Sequence, residues 1–384
     1  MESGNQYMTA LIALVVFIAS FLVLKPKKQP KKKLFYDVKV EPWNIKSVDS
    51  DFHWESASPL KSYPFKNAEY KLTMGIRNLP PQDWLLVEST YKNRVEDKRA
   101  IIHDCHPDYP NEKIRESTVF KTEESIPAIK EFYNLVIDYM CTKYPMHFEV
   151  KGDSVVNNIT GVTLPRVAVG NDPDKLLDLL AETIEEDFII LLKDPTRVHE
   201  KDGEEYFFKA GIFGFAAGFN PKDRFNKPLS FVHHPIPGYE SKLKLSMNRF
   251  FNRLSPGQLV SRLNFSVQTH HKLYVDNENK GHNLPDGSAQ DPLKKDLDFE
   301  KDVHYRSERQ TLTKLPKTGA IIFTIRTYLL PMATLRQEPP DVRERLVGAI
   351  KGFPEDIKYY KRAGEWGPAV IDYLSEGLEQ QTNE

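Results

Sequence analysis

Cysteine is nearly absent. Cys105 and Cys141 are the two in 384 residues, too few for a disulfide framework or an iron–sulfur cluster, and they suit a reducing compartment. An excess of one charge is missing as well. With 53 Lys and Arg against 54 Asp and Glu, the net charge of -1 leaves no basic surplus to neutralise phosphates, which argues against a nucleic-acid partner. No glycine-rich phosphate loop, dinucleotide-binding fingerprint or nucleophile elbow occurs. What is present is an ordinary globular composition after the first thirty residues, 40% hydrophobic and 28% charged, enough for one large domain or two modest ones.

Those first residues form a separate device. After a short tail (1–7), Met8 to Leu24 is an uncharged apolar run of about 17 residues, at the short end of what crosses a bilayer. Lys25, Lys27, Lys28, Lys31, Lys32 and Lys33 follow it, broken by Pro26 and Pro30. A secretory signal would carry its charge before the apolar run, so this order predicts an uncleaved transmembrane helix at 8–24. The lysines then place the globular part on the cytosolic side of a membrane, the endoplasmic reticulum being the expected one, and the sequons at Asn158 and Asn264 stay unglycosylated. A basic, proline-rich linker over 25–67 leads to the main domain at 68–384.

Within that domain the clearest pattern is Tyr305 to Tyr328. Alternation on the first arm, a reversal at LPKTG and an apolar, β-branched second arm predict a β-hairpin. Arg326 sits inside the apolar arm and needs a partner: either Glu308, roughly opposite, or an anionic ligand held by Arg309 or Arg326. Pro80 and Pro81 open a predicted helix with Trp84, Val87, Tyr91 and Val95 on one stripe. Further helices are expected over 123–143, from Asp172 through a stripe that includes Ile184, Phe188 and Leu191, and over 241–254, 341–350 and 368–378. Strands are expected over 147–151, 155–164, 205–215 and 262–269, and a polar surface loop over 277–299. Antiparallel strands flanked by helices, without regular βαβ alternation, make the class α+β.

Several histidines are candidates for chemistry. His103-Asp104-Cys105-His106 clusters ligand-type residues at a spacing that matches no standard zinc arrangement. His270 and His271 sit in polar loop sequence, and His304 starts a core strand. In Phe231-Val-His-His-Pro-Ile-Pro-Gly-Tyr239 two prolines stiffen the backbone directly after a histidine pair. A rigid lone histidine suits either a structural role or an axial ligand of haem iron, which also needs an apolar slot and cations for its propionates. Phe213, Phe215, Phe219 and Phe231 are candidates for the slot, and Arg262, Arg309 and Arg326 for the cations.

Four segments carry a family resemblance: TMGIRNLPPQDWLLVESTY; AGFNPKDRFNKPLSFVHHPIPGY; KLSMNRFFNRL followed by VSRLNFSV; and YRSERQTLTKLPKTGAIIFTIRTY. Together, over about 72 to 332, they resemble the haem-dependent oxidative N-demethylases, whose bacterial founders are dimethylamine monooxygenases. The resemblance implies a PAS-like antiparallel sheet wrapped by helices and holding haem b. The family pattern Ile-His-x-Pro-Val-Pro-Gly falls on Val232 to Gly238, which makes His233 the implied iron ligand and His234 the variable position. Arg-x-Asn-Trp falls on Arg262 to Phe265, with phenylalanine in place of tryptophan. The implied reaction uses dioxygen and two electrons from a separate reductase, a membrane-bound one being the natural partner, to turn an N-methylated amine into a demethylated amine, formaldehyde and water. The rival expectations are a haem or small-molecule sensor without turnover and a membrane-tethered scaffold without cofactor.

Overall fold

The computed structural model describes residues 43–276, 279–283, 292–293 and 297–378. The expected membrane helix at 8–24 lies outside the described residues, and no described helix is long and apolar enough to cross a membrane. The described chain is α+β. Seven antiparallel strands form one sheet in the order β1-β8-β9-β10-β6-β7-β2. Their ranges are β1 (Arg77–Asn78), β2 (Val119–Lys121), β6 (Asp187–Lys193), β7 (Tyr206–Ile212), β8 (Leu259–Gln268), β9 (His304–Lys314) and β10 (Ile321–Pro331). The short strands β3 (Phe148–Lys151), β4 (Ser154–Asn157) and β5 (Thr163–Pro165) make a separate three-stranded sheet.

The predicted hairpin is β9 and β10, and it forms the centre of the large sheet. Its register separates the residues that the sequence pairs. Arg326 lies opposite Arg309, while Glu308 lies opposite Thr327, so Arg326 and Glu308 point to opposite faces. On the face that carries Arg326, helices α1 (Tyr91–Ile102), α2 (Ile126–Lys143) and α3 (Pro173–Ala181) bury Phe132, Val136, Leu180, Phe188 and Ile322 in one core. The C-terminal helices α7 (Met332–Arg336), α8 (Pro340–Lys351), α9 (Glu355–Tyr360) and α10 (Ala363–Ser375) build a second core around Phe265, Tyr305, Leu346 and Trp366.

Two expected helices differ, each for a polar reason. From Pro81 only a single tight turn forms, Pro81–Asp83, and α1 begins at Tyr91. The carbonyls that would close the intervening turns are used by buried cations. Those of Gln82 and Leu85 accept from Lys143 Nζ, those of Asp83 and Trp84 from Arg309, and that of Leu86 from Arg326. The third helix stops at Ala181, and Phe188 and Leu191 belong to β6. The run Glu185-Glu186-Asp187 separates the two elements, and all three side chains are buried against cations.

Candidate functional site

The pairing ladder sorts the candidate residues. Arg262 pairs with Gln310 and Asn264 with Glu308, and Gln310 and Glu308 pair in turn with Ile325 and Thr327, so these side chains share one face of the sheet. Two apolar clusters cover that face. One holds Leu229, Tyr239, Val260 and Leu312 together with Met247 and Phe251 of α6 (Lys244–Arg253); the other holds Ile101, Phe215, Leu273 and Tyr274. Arg262, Asn264, Glu308 and Gln310 belong to neither cluster.

His233 closes α5 (Leu229–His233), a short helix that follows Pro228, and Pro235 and Pro237 come directly after it. Its ring is fixed twice. Nδ1 hydrogen-bonds the Leu229 carbonyl at 2.8 Å, and the plane stacks on Tyr239 with 5.3 Å between centroids and 18° between planes. A carbonyl only accepts, so Nδ1 carries the proton and Nε2 keeps its lone pair. Desolvation, and then the nearby Arg262 and Arg224, push His233 down to about 4, so the imidazole is neutral at physiological pH. Nε2 has no hydrogen-bond partner among the described residues.

Cations collect near it. Arg224, from α4 (Pro221–Arg224), lies 4.7 Å over the Phe219 ring. Lys280 lies 5.9 Å over Phe219 and 5.4 Å over Tyr360, and His282 stacks on Tyr360 at 5.6 Å. Burial pushes Lys280 down to about 8, Lys361 down to about 7 and His282 down to about 4. Burial also lowers Arg262 and Arg224, and acidic groups near them raise them only in part. The carboxylate of Glu308 acts on Arg262, Lys280 and Lys361. Burial would raise it, but Arg306 and then Lys280 hold it below the usual carboxylate range, so it is ionised.

Buried polar atoms are left without partners here: Arg224 Nε, Arg262 Nε, both ring nitrogens of His282 and Gln310 Oε1. Orphaned buried donors are costly, and several of them beside several cations indicate that a ligand supplies the missing acceptors. A haem fits the requirement. Its iron would take one neutral imidazole nitrogen, and its two propionates would answer the excess of positive charge. The structure thus brings His233 and Arg262 together. It places Arg309 and Arg326 on the opposite face, where Arg309 donates to the Asp83 and Trp84 carbonyls and Arg326 is held by Glu88, Glu185 and Glu186. Neither guanidinium faces His233. His234 is exposed, and Phe231, at 47% exposed, lines no slot.

The remaining histidine cluster disperses. His103 meets Glu182, His106 lies 3.7 Å from Asp97, Asp104 accepts from the Arg115 amide, and Cys105 is exposed. Among the described residues, no group of three or more His, Cys, Asp or Glu side chains is placed to hold a bare metal ion. Arg224, Lys280, His282 and Lys361 were not legible in the sequence. Lys280 and His282 fall in the stretch expected to be a polar surface loop, yet Lys280 is 6% exposed. Residues 75–371 match the model of a family described as haem-dependent oxidative N-demethylase, alpha subunit-like.

Proposed function

The chain belongs to the haem-dependent oxidative N-demethylase alpha subunit-like family, and from that premise we propose that it is a haem b monooxygenase that removes a methyl group from an amine nitrogen. One observation carries the assignment of the ligand. His233 is a neutral imidazole with Nδ1 committed to a backbone carbonyl and Nε2 free, beside cations that lack acceptors. The strand order β7-β6-β10-β9-β8 supports the PAS-like reading of the fold: β6 and β7 pair, helices lie between β7 and β8, and the last strand, β10, returns to pair with β6.

When bound, the haem supplies dioxygen activation and one-electron chemistry that no side chain provides. The chain's own residues do the rest. His233 would hold the iron through Nε2, and its Leu229 hydrogen bond fixes the ring and would raise its basicity as a ligand. Arg224, Arg262 and Lys280 would take the propionates. Glu308, ionised on the same face and bonded by Arg306 and Gln310, would hold the positive charge of the amine. The balance is one amine, one dioxygen, two electrons and two protons in, and the demethylated amine, formaldehyde and water out. Electrons come from a separate reductase, since the sequence carries no flavin or nicotinamide motif. The apolar run at 8–24 and the lysines after it would keep the body beside a membrane-bound reductase on the cytosolic side.

The test is amine-dependent formaldehyde release by the haem-loaded chain with a surrogate reductant. Formaldehyde matched to reductant consumed supports the enzyme. Bound haem with no release under any N-methylated amine makes the chain a sensor.

A pH dependence follows from Lys280. Burial holds it down to about 8, and an arriving propionate favours its charged form. Haem uptake near pH 8 therefore takes up protons, and affinity falls as pH rises above about 8. An indicator dye in weak buffer reads the uptake. Release of protons, or an affinity flat across this range, contradicts the assignment of Lys280.

A further inference from the structure

A cavity of about 980 Å³ lies along the edge of the sheet, between β8, residues 60–77 and α8. Its lining is lopsided in charge. Seven basic side chains border it against a single carboxylate, Glu69. Lys66, Lys71 and Arg77 are exposed, whereas Arg262 is half-buried and Arg309 and Lys361 are buried. Arg309 is already used by two carbonyls, and Arg345 has Asp341 at 3.5 Å. Lys361 is different. It is 6% exposed, and the one hydrogen bond its ammonium makes among the described residues goes to the Phe265 carbonyl at 2.7 Å. An ammonium has three donors, so Lys361 keeps capacity for an acceptor that the protein does not supply.

The cavity also has apolar walls. Tyr63, Phe65, Tyr70, Phe265 and Phe353 border it, and Lys361 lies 5.2 Å and 5.8 Å over the rings of Phe265 and Phe353. It adjoins the histidine face, because Arg262 and Asn264 line it while Arg262 neighbours His233 and Asn264 reaches Glu308 at 3.5 Å. A small aliphatic amine is a bare cation. It would find positive charge and far more room than it fills.

We infer that the cavity admits a substrate that carries a carboxylate as well as its N-methylated amine, on an aromatic or bulky apolar body: an N-methylated hydrophobic amino acid. Its carboxylate meets Lys361, its side chain lies among the aromatic rings, and its ammonium points toward Glu308. This deepens the N-demethylase reading and rests on it for turnover, but binding to the cavity is measurable without haem.

Calorimetry on the full chain as isolated separates the two. N-methyl-L-phenylalanine and N-methylphenethylamine share ring and amine and differ in the carboxylate. The first should bind more tightly by about tenfold or more, as expected for a charge-assisted hydrogen bond in a desolvated site. Lys361→Met should erase the preference, and Lys361→Arg should keep most of it. Equal binding of the two amines by the native chain, or a preference that survives in a cooperatively melting Lys361→Met, overturns the inference. If Lys361→Met does not fold, the comparison on the native chain decides alone. With haem loaded, N-methyl-L-phenylalanine should yield phenylalanine and formaldehyde in equal amounts. A chain that prefers the carboxylate but holds no haem refutes the demethylase reading and leaves the cavity assignment standing.

Discussion

His233→Ala abolishes stoichiometric haem retention, whereas His234→Ala leaves the Soret band intact. The two residues are neighbours of identical chemistry, so the contrast isolates placement. His233 has Nδ1 tied to the Leu229 carbonyl and its ring held against Tyr239, while the His234 side chain is exposed. With His233 as the proposed iron ligand, its removal would delete the bond from protein to iron and leave only contacts to the macrocycle and propionates. Folding should survive, because His233 is half-buried on a short helix and no acidic side chain depends on it. Imidazole added to His233→Ala should restore part of the band. A His233→Ala variant with full haem content and an unchanged ligand spectrum would require another iron ligand and would sink the assignment.

Arg326→Leu unfolds the chain before it affects haem. The guanidinium is fully buried at the centre of the sheet and reaches Glu88 at 2.7 Å, Glu185 at 2.6 Å and Glu186 at 3.1 Å. Taking away the cation strands these carboxylates in the interior, and breaking a buried pair in this way costs about 3 to 5 kcal/mol. The loss depends on pH with a definite sign. Burial, only partly offset by Arg326, already raises Glu185 to about 7. Without Arg326, Glu185 rises further above its unfolded value, so the folded variant binds more protons than the unfolded chain, and its stability falls as pH rises. Urea melts should therefore show the largest deficit near pH 8 and a smaller one near pH 5. An Arg326→Leu variant that melts like the native chain but loses haem would put this arginine back among the propionate ligands.

The local parts of this arrangement are legible in the sequence, and the long-range parts are not. Alternation and LPKTG suffice for the β9 and β10 hairpin, because period and turn are properties of adjacent residues. The partner of Arg326 is not, since a shift of one residue in register moves Glu308 to the other face, and the true partners come from residues 88, 185 and 186. The stripe through Ile184, Phe188 and Leu191 satisfies a helical period, but Phe-Ile-Ile-Leu-Leu is also what a strand buried on both faces looks like, and the sheet takes it. Pro235 and Pro237 behind the histidine pair mark the pair by local stiffness, and the family pattern over 232–238 singles out His233 within it. Lys280, His282 and Lys361 carry no such mark. They sit in polar or helical sequence of ordinary composition, and only the tertiary fold buries them together as basic groups short of acceptors.

The most direct measurement titrates haem into the native full-length chain and into His233→Ala, and then assays each with an N-methylated amine, dioxygen and a surrogate reductant in the same cuvette. The account predicts one haem per native chain, a Soret band that responds to the amine, and formaldehyde equal to the demethylated product, with all three lost in His233→Ala. A native chain that melts cooperatively yet takes up no stoichiometric haem, or one whose haem and formaldehyde survive His233→Ala, contradicts it.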